Sequence, residues 1–237
     1  MALPKLTTPT FELEIPSTDE KIKYRPFLVK EEKILMMAME SKKNTDIVQA
    51  VKDIVSECTF NKVDMSDLPM FDVEYIFLQI RSKSVGEVSK LRILCPDDGK
   101  TYADVELDLN EVKVQVGDEH TNKIELSKDM GIIMKYPTID SFRESGIQDI
   151  NATNMLDVIG ACIMQIYEEG GKKTYDPKDQ TKKELNDFME QLTTKQFKDV
   201  QSFFDTMPKL KHTIKVTNPK TKKENEIILT GLNDFFE

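Results

Sequence analysis

The sequence predicts an α+β fold: a central helical bundle with an N-terminal hairpin, a β-rich insertion at about 88–136 and a C-terminal β-hairpin. Three observations predict it. Apolar residues alternate near both ends, recur at helical spacing between them, and change to a period of two in the middle of the chain. The expected domain division is a helical core of 1–87 and 137–208 carrying the N-terminal hairpin, the insertion 88–136, and a hairpin with tail over 209–237.

Phe11, Leu13 and Ile15 alternate, as do Ile22 and Tyr24, and Pro16-Ser17-Thr18-Asp19 supplies the turn between them. A first helix follows over about 30–42. Its run Ile34-Leu35-Met36-Met37-Ala38-Met39 covers the whole circumference at helical spacing. A helix that is apolar all round is either buried on every side or offered to another chain. Methionine, unbranched and polarizable, suits irregular cores and adaptable binding surfaces alike. Both readings stand on the residues alone, and Met36, Met37 and Met39 are candidate partner contacts. A second helix is expected at about 46–58, with Ile47, Val51, Ile54 and Val55 on one face and Thr45 as N-cap. Asp67-Leu68-Pro69 opens a third, with proline in the first turn where its missing N–H does no harm. Phe71, Val73, Tyr75, Ile76, Phe77 and Ile80 crowd more than one of its faces, and Val85-Gly86 ends it.

Alternation then takes over. Leu91, Ile93 and Cys95 lead into the turn Pro96-Asp97-Asp98-Gly99, and Tyr102, Val105, Leu107 and Leu109 return from it. Val112, Val114 and Val116 form another strand, followed by Ile124 with Leu126 and by Ile132 to Tyr136. Helical spacing resumes at about 152–168 through Met155, Leu156, Ile159, Cys162, Ile163 and Ile166, and Gly170-Gly171 is the expected terminator. A polar loop 172–179 precedes helices at about 181–192 and 194–205, the second started by Thr194, and Pro208 closes the block. Leu210 to Val216 and Ile227 to Thr230 form the last hairpin around a lysine-rich turn, Asn218–Asn225.

Composition narrows the function. The chain has 237 residues, 39% of them hydrophobic and 32% charged, enough for a real core. No apolar run approaches the roughly 18 residues that a membrane helix needs, and the first residues show neither a basic nor an apolar leader region. Cysteines at 58, 95 and 162 are too scattered for a disulfide framework, so a reducing compartment is expected. A net charge of −9 disfavours general nucleic-acid or anionic-membrane binding. Lys209, Lys211, Lys215, Lys220, Lys222 and Lys223 form a basic cluster without interleaved aromatics. It reads as a solvated hairpin that resists edge pairing, with an acidic protein partner as its best functional reading.

Catalytic templates fail on missing parts. GxSxG, HExxH, the phosphate-binding GxxxxGK[ST] loop and GxGxxG are all missing from the sequence. Of the two histidines, His120 falls in a predicted turn and His212 in a predicted strand. A hydrolase built on Cys95 or His212 is the rival from the enzyme class, and a nucleic-acid binder using the C-terminal lysines is another. Asp97 and Asp98 are expected to be exposed, ionised turn residues. Cys95-Pro96-Asp97-Asp98-Gly99 has the outline of a zinc knuckle, but Asp98 stands where the second thiolate belongs. The turn Asn218-Pro219-Lys220-Thr221 has a similar plan and no cysteine. No metal, cofactor or small-molecule substrate is expected. The ending Gly231-Leu232-Asn233-Asp234-Phe235-Phe236 places two aromatics where chains usually fray. Leu232, Phe235 and Phe236 either dock on their own core or anchor in a partner.

Three segments carry a resemblance: RPFLVKEEKILMMAMES (25–41), FLQIRSKSVGE (77–87) and ILTGLNDFF (228–236). Together they resemble the T4-type phage baseplate family, which contains the baseplate hub subunit and the hub assembly catalyst, over about residues 8–236. In that family the RSxSxGE segment leads into a β-insertion often carrying a cysteine knuckle, which Asp98 leaves incomplete here. The resemblance implies a non-enzymatic late protein of a contractile-tailed phage that helps build the central baseplate hub. Its implied partners are hub or tape-measure proteins. It implies a host-cytoplasmic place during assembly, with either a stoichiometric place in the virion tail or a transient chaperone role. No catalytic residue is carried over.

Overall fold

The structure, a computed structural model, describes residues 6–41, 43–139, 141 and 155–235. It is α+β, with several small antiparallel sheets, and the chain divides into two compact units. The first unit comprises the described residues of Met1–Met65, Phe71–Gln115 and Lys209–Glu237; the second comprises those of Ser66–Met70 and Val116–Pro208.

The first unit opens with the expected hairpin. Strands β1 (Phe11–Glu14) and β2 (Lys21–Tyr24) pair antiparallel, and their inward residues Leu13, Ile22 and Tyr24 are buried with Ile15. Helices α1 (Val29–Ser41), α2 (Asn44–Cys58) and α3 (Met70–Val85) follow. Helix α2 starts one residue before Thr45, from Lys43, without a side-chain cap. Its face Val51, Ile54 and Val55 is buried as expected. Pro69 stands just before α3 rather than within it, and pairs in an isolated bridge with Thr138. Helix α3 buries Phe71, Val73, Ile76, Phe77, Leu78 and Ile80, so this is the helix enclosed on more than one side.

Strands β3 (Val88–Leu94) and β4 (Tyr102–Asp108) form a hairpin, and the short β5 (Lys113–Gln115) runs on from it. Strand β5 pairs with β10 (Lys209–Thr217), which pairs with β11 (Glu224–Thr230), giving the order β11-β10-β5. One cluster of buried side chains joins these pieces: Leu78 from α3, Leu91, Leu107 and Leu109, then Leu210, Ile214, Leu229 and Phe235.

In the second unit β6 (Lys123–Glu125), β7 (Gly131–Met134), β8 (Ile163–Glu168) and β9 (Lys173–Tyr175) make a four-stranded sheet in sequence order. Gly131 is obligatory there, since a Cβ would lie 2.5 Å from the Ile124 carbonyl oxygen. Helices α4 (Met155–Ala161), α5 (Lys182–Glu190) and α6 (Thr194–Thr206) pack against Ile132, Met134 and Ile163. Both α5 and α6 start from full capping boxes, Thr181 with Glu184 and Thr193 with Gln196.

Within 88–136, β3 to β5 belong to the first unit and β6 and β7 to the second. Their sheet partners, β10 for β5 and β8 for β7, lie far along the chain. The helices divide between the units. One expectation is corrected: the helix expected at 152–168 stops at Ala161 and continues as β8; residues 152–154 lie outside the described ones. Strand β8 is flanked by β7 and β9, so sheet pairing on both sides outweighs an i, i+3 pattern that fits either state. Gly170 and Gly171, with φ of 64° and 97°, therefore turn β8 into β9 rather than ending a helix.

Candidate functional site

The segment from Arg25 to Ser41 is built around a buried ion pair. Arg25 Nη2 lies 2.8 Å from Glu31 Oε1, and Glu31 Oε2 accepts a 2.7 Å hydrogen bond from the Leu28 amide. Glu31 thus caps the first turn of its own helix while neutralising Arg25. Burial alone would raise the Glu31 carboxyl, but hydrogen bonds from Arg25, the Leu28 amide and Lys30 outweigh it and hold the group below its ordinary range. Arg25 Nη1 donates to the Pro26 carbonyl at 3.0 Å and touches Cys58 Sγ of α2 at 3.7 Å. Farther along, Ala38 is buried and Leu35 half-buried, and α1 packs along α2.

The rest of α1 faces outward. Met36, Met37 and Met39 are 58%, 60% and 60% exposed, Ile34 is 44% exposed, and Val29 lies open as well. At 3.6 residues per turn Met36 and Val29 stand roughly opposite Ala38. Of the two readings of this helix, the buried one does not hold. That role falls to α3, and α1 leaves all three methionines exposed.

The tail behaves in the opposite way. Phe235 is fully buried in the core cluster of its own unit and Leu232 packs against that cluster. Gly231, at φ 70°, bends the chain back and donates to the Leu210 carbonyl at 3.1 Å. Ser89 Oγ donates to the Phe235 carbonyl at 2.8 Å, and Asp234 accepts from the Thr230 amide at 2.8 Å. Phe235 is thus docked on its own core, with Leu232 half-buried beside it. Phe236 lies outside the described residues.

The three thiols and His120 are held within their own fold. Cys58, Cys95 and Cys162 are fully buried; burial pushes the Cys58 thiol up to about 11 and Cys162 up to about 12. Burial, then Asp97 and Asp98, also raises Cys95. Such thiols are poor nucleophiles. His120 sits in the second unit, with Nδ1 2.9 Å from Thr206 Oγ1 and Nε2 3.0 Å from the Tyr136 hydroxyl, and its ring stacks on Tyr136. Burial lowers its pKa. His212 lies on β10, its backbone opposite Leu229.

Asp97 and Asp98 are not the merely solvated turn residues that the sequence suggested. Asp97 accepts hydrogen bonds from Asn218 Nδ2 at 2.8 Å, from the Thr221 hydroxyl and from Asn225 Nδ2 at 3.2 Å. Asp98 closes its own turn on the Lys100 and Thr101 amides and the Thr101 hydroxyl. These bonds, led by those from Thr221 for Asp97 and from Thr101 for Asp98, hold both carboxyls below their ordinary range.

An open hollow of about 560 Å³ in the second unit is lined by Lys135, Asp157, Met164, Lys178 and Lys182. Its Asp157 is engaged by Lys182 and Asn186, each at 2.9 Å. Among the described residues no group of three or more His, Cys, Asp or Glu side chains is placed to hold a metal ion. None of the described helices is long and apolar enough to cross a membrane. Sequence reading missed the Arg25–Glu31 pair and the joint made by Asp97; no spacing rule flags an arginine and a glutamate six apart around a proline.

Fold and site together define an α+β protein that exposes the methionines of α1 and keeps its thiols and Phe235 inside. Residues 8–237 match the family model described as T4 bacteriophage base plate protein, and the chain belongs to that family. It is a phage baseplate protein. No curated protein and no solved structure matches the chain.

Proposed function

We propose that this baseplate protein acts without catalysis, through protein–protein contacts made while the central hub is assembled, and that α1 is its docking face. The observation that carries the reading is the exposure of Met36, Met37 and Met39 on a helix whose opposite side is clamped to its own fold. Three large apolar side chains exposed within four residues are denser than the singly scattered ones that a monomer ordinarily shows. Methionine tolerates partners of differing shape. Hub and tape-measure proteins are the partners proposed, either in a permanent virion complex or in a transient chaperone complex.

The test is a Met36→Lys, Met39→Lys double variant supplied in trans to phage lacking the native gene. Exposed positions of this kind change stability by about 0.5 kcal/mol or less. The variant is expected to melt with the native protein yet fail to yield baseplates, while Thr213→Lys on exposed strand surface does both normally. Normal baseplate yield from the double variant refutes the proposal. Mass spectrometry of mature particles then separates a permanent component from a transient one.

A further inference from the structure

The turn joining β3 to β4 and the turn joining β10 to β11 share most of their internal wiring, the closing bond spanning six residues in the first and five in the second. In the first, the Cys95 amide donates to the Thr101 carbonyl at 2.8 Å and the Cys95 carbonyl accepts from Gly99 at 3.0 Å. In the second, the Asn218 amide donates to the Lys223 carbonyl at 2.8 Å and the Asn218 carbonyl accepts from Lys222 at 2.9 Å. Proline follows the leading residue in both, as Pro96 and Pro219. The fifth residue of each is left-handed, Gly99 at φ 62° and Lys222 at φ 63°. A lysine in that region is uncommon, so the shared conformation is imposed by the turn and not by residue preference.

The two turns also face one another. Asp97 reaches across to the side chains of Asn218, Thr221 and Asn225. Cys95 and Asn218 are both fully buried. Asp97, between positions 95 and 98 of the first turn, thus bonds to Asn218 and Thr221, the first and fourth residues of the second. Positions 95 with 98 and 218 with 221 are two x-x-separated pairs, the ligand plan of a four-coordinate zinc site.

Here the residues do not fit a metal. Cys95 is the single thiol. Asp98 spends its oxygens on Lys100 and Thr101, Asn218 Oδ1 accepts from the Lys220 and Thr221 amides, and the Thr221 hydroxyl donates to Asp97. We infer that residues 95, 98, 218 and 221 occupy the four corners of a zinc-ribbon centre in which a hydrogen-bonded network centred on Asp97 has replaced the ion. That network is the cross-brace holding the β3–β4 hairpin to the β10–β11 hairpin.

The inference is tested by restoring the ligands. A Asp98→Cys, Asn218→Cys, Thr221→Cys variant, with native Cys95, is purified with and without Zn(II) and titrated with Co(II). Expected are one cobalt per chain with the visible bands of tetrahedral thiolate coordination, displacement by zinc, and a zinc-dependent rise in melting temperature of roughly 5 °C or more. Adding Cys95→Ser removes the four-thiolate spectrum. The native chain gains no stability from zinc and loses it through Asp97→Ala. A folded variant without the cobalt spectrum, a variant unfolded even with zinc, a native chain stabilised by zinc, or an Asp97→Ala variant as stable as the native chain each overturns it.

Discussion

Removing the Glu31 carboxylate is the sharpest probe of how α1 is held. The Glu31 side chain is 2% exposed and that of Arg25 10%, so Glu31→Ala leaves an uncompensated guanidinium and an unpaired Leu28 amide in a largely dry site. Breaking one partner of a buried pair typically costs about 3–5 kcal/mol. With a urea dependence near the upper end of about 1–3 kcal/mol per molar for a chain of this size, the unfolding midpoint should fall by roughly 1–2 M. Circular dichroism measures the midpoint, and hydrogen exchange at the α1 amides locates the loss. Replacing the pair together, Arg25→Met with Glu31→Leu, should recover most of the stability, because much of the penalty is a stranded charge rather than a missing attraction. Acidification adds a signed check. The folded Glu31 pKa is lowered, so its contribution is present above the ordinary value of 4.5 and is lost as pH falls through the folded value. Glu31→Gln lacks that acid-dependent loss. A midpoint shift below about 0.3 M for Glu31→Ala, or a double variant as weak as the single one, would refute the reasoning.

Two further outcomes are expected. Burial pushes the Glu74 carboxyl up to about 7, so the folded chain keeps a proton that the unfolded chain has released between pH 4.5 and about 7. Stability should therefore fall as pH rises across that window. Glu74→Gln should be more stable than the native chain at pH 8 by up to about 3 kcal/mol and indistinguishable at pH 4, as read by thermal melts; equal melts at pH 8 contradict it. Phe235→Ala should cost about 3–5 kcal/mol, which for a chain of this length is roughly 10 °C in melting temperature. A fall under about 3 °C would show the ring to be dispensable to its own core.

The sequence made visible what is encoded locally. Alternation located β1, β3, β4 and β10, and apolar periodicity with helix-opening residues located α2, α5 and α6 within a residue or two. The prominence of 25–41 was visible in its composition, but whether its methionines face inward depends on which helix fills the core. Helix α3 does so with Phe71, Val73 and Ile76. Nothing in either segment ranks the two. Strand β8 was misread because Ile159, Cys162, Ile163 and Ile166 satisfy helical spacing although the chain changes state at Cys162. The joint between the two hairpin turns was half visible. Their similar plan could be read from Cys95-Pro96 and Asn218-Pro219, whereas their apposition depends on β5, β10 and β11 closing one sheet.

The interleaving of the two units bears on how the chain folds as it is synthesised. The second unit is almost continuous, Val116–Pro208, whereas the first needs Lys209–Glu237 to complete its sheet and core. As the chain leaves the ribosome, Leu78, Leu91, Leu107 and Leu109 emerge long before Leu210, Ile214, Leu229 and Phe235, with which they share a core. Non-local closure of this kind is slow, and apolar surface stays uncovered while it waits. The C-terminal hairpin is then the closing step of folding, and a ribosome that stalls before Lys209 releases a chain with one finished unit and one that cannot close.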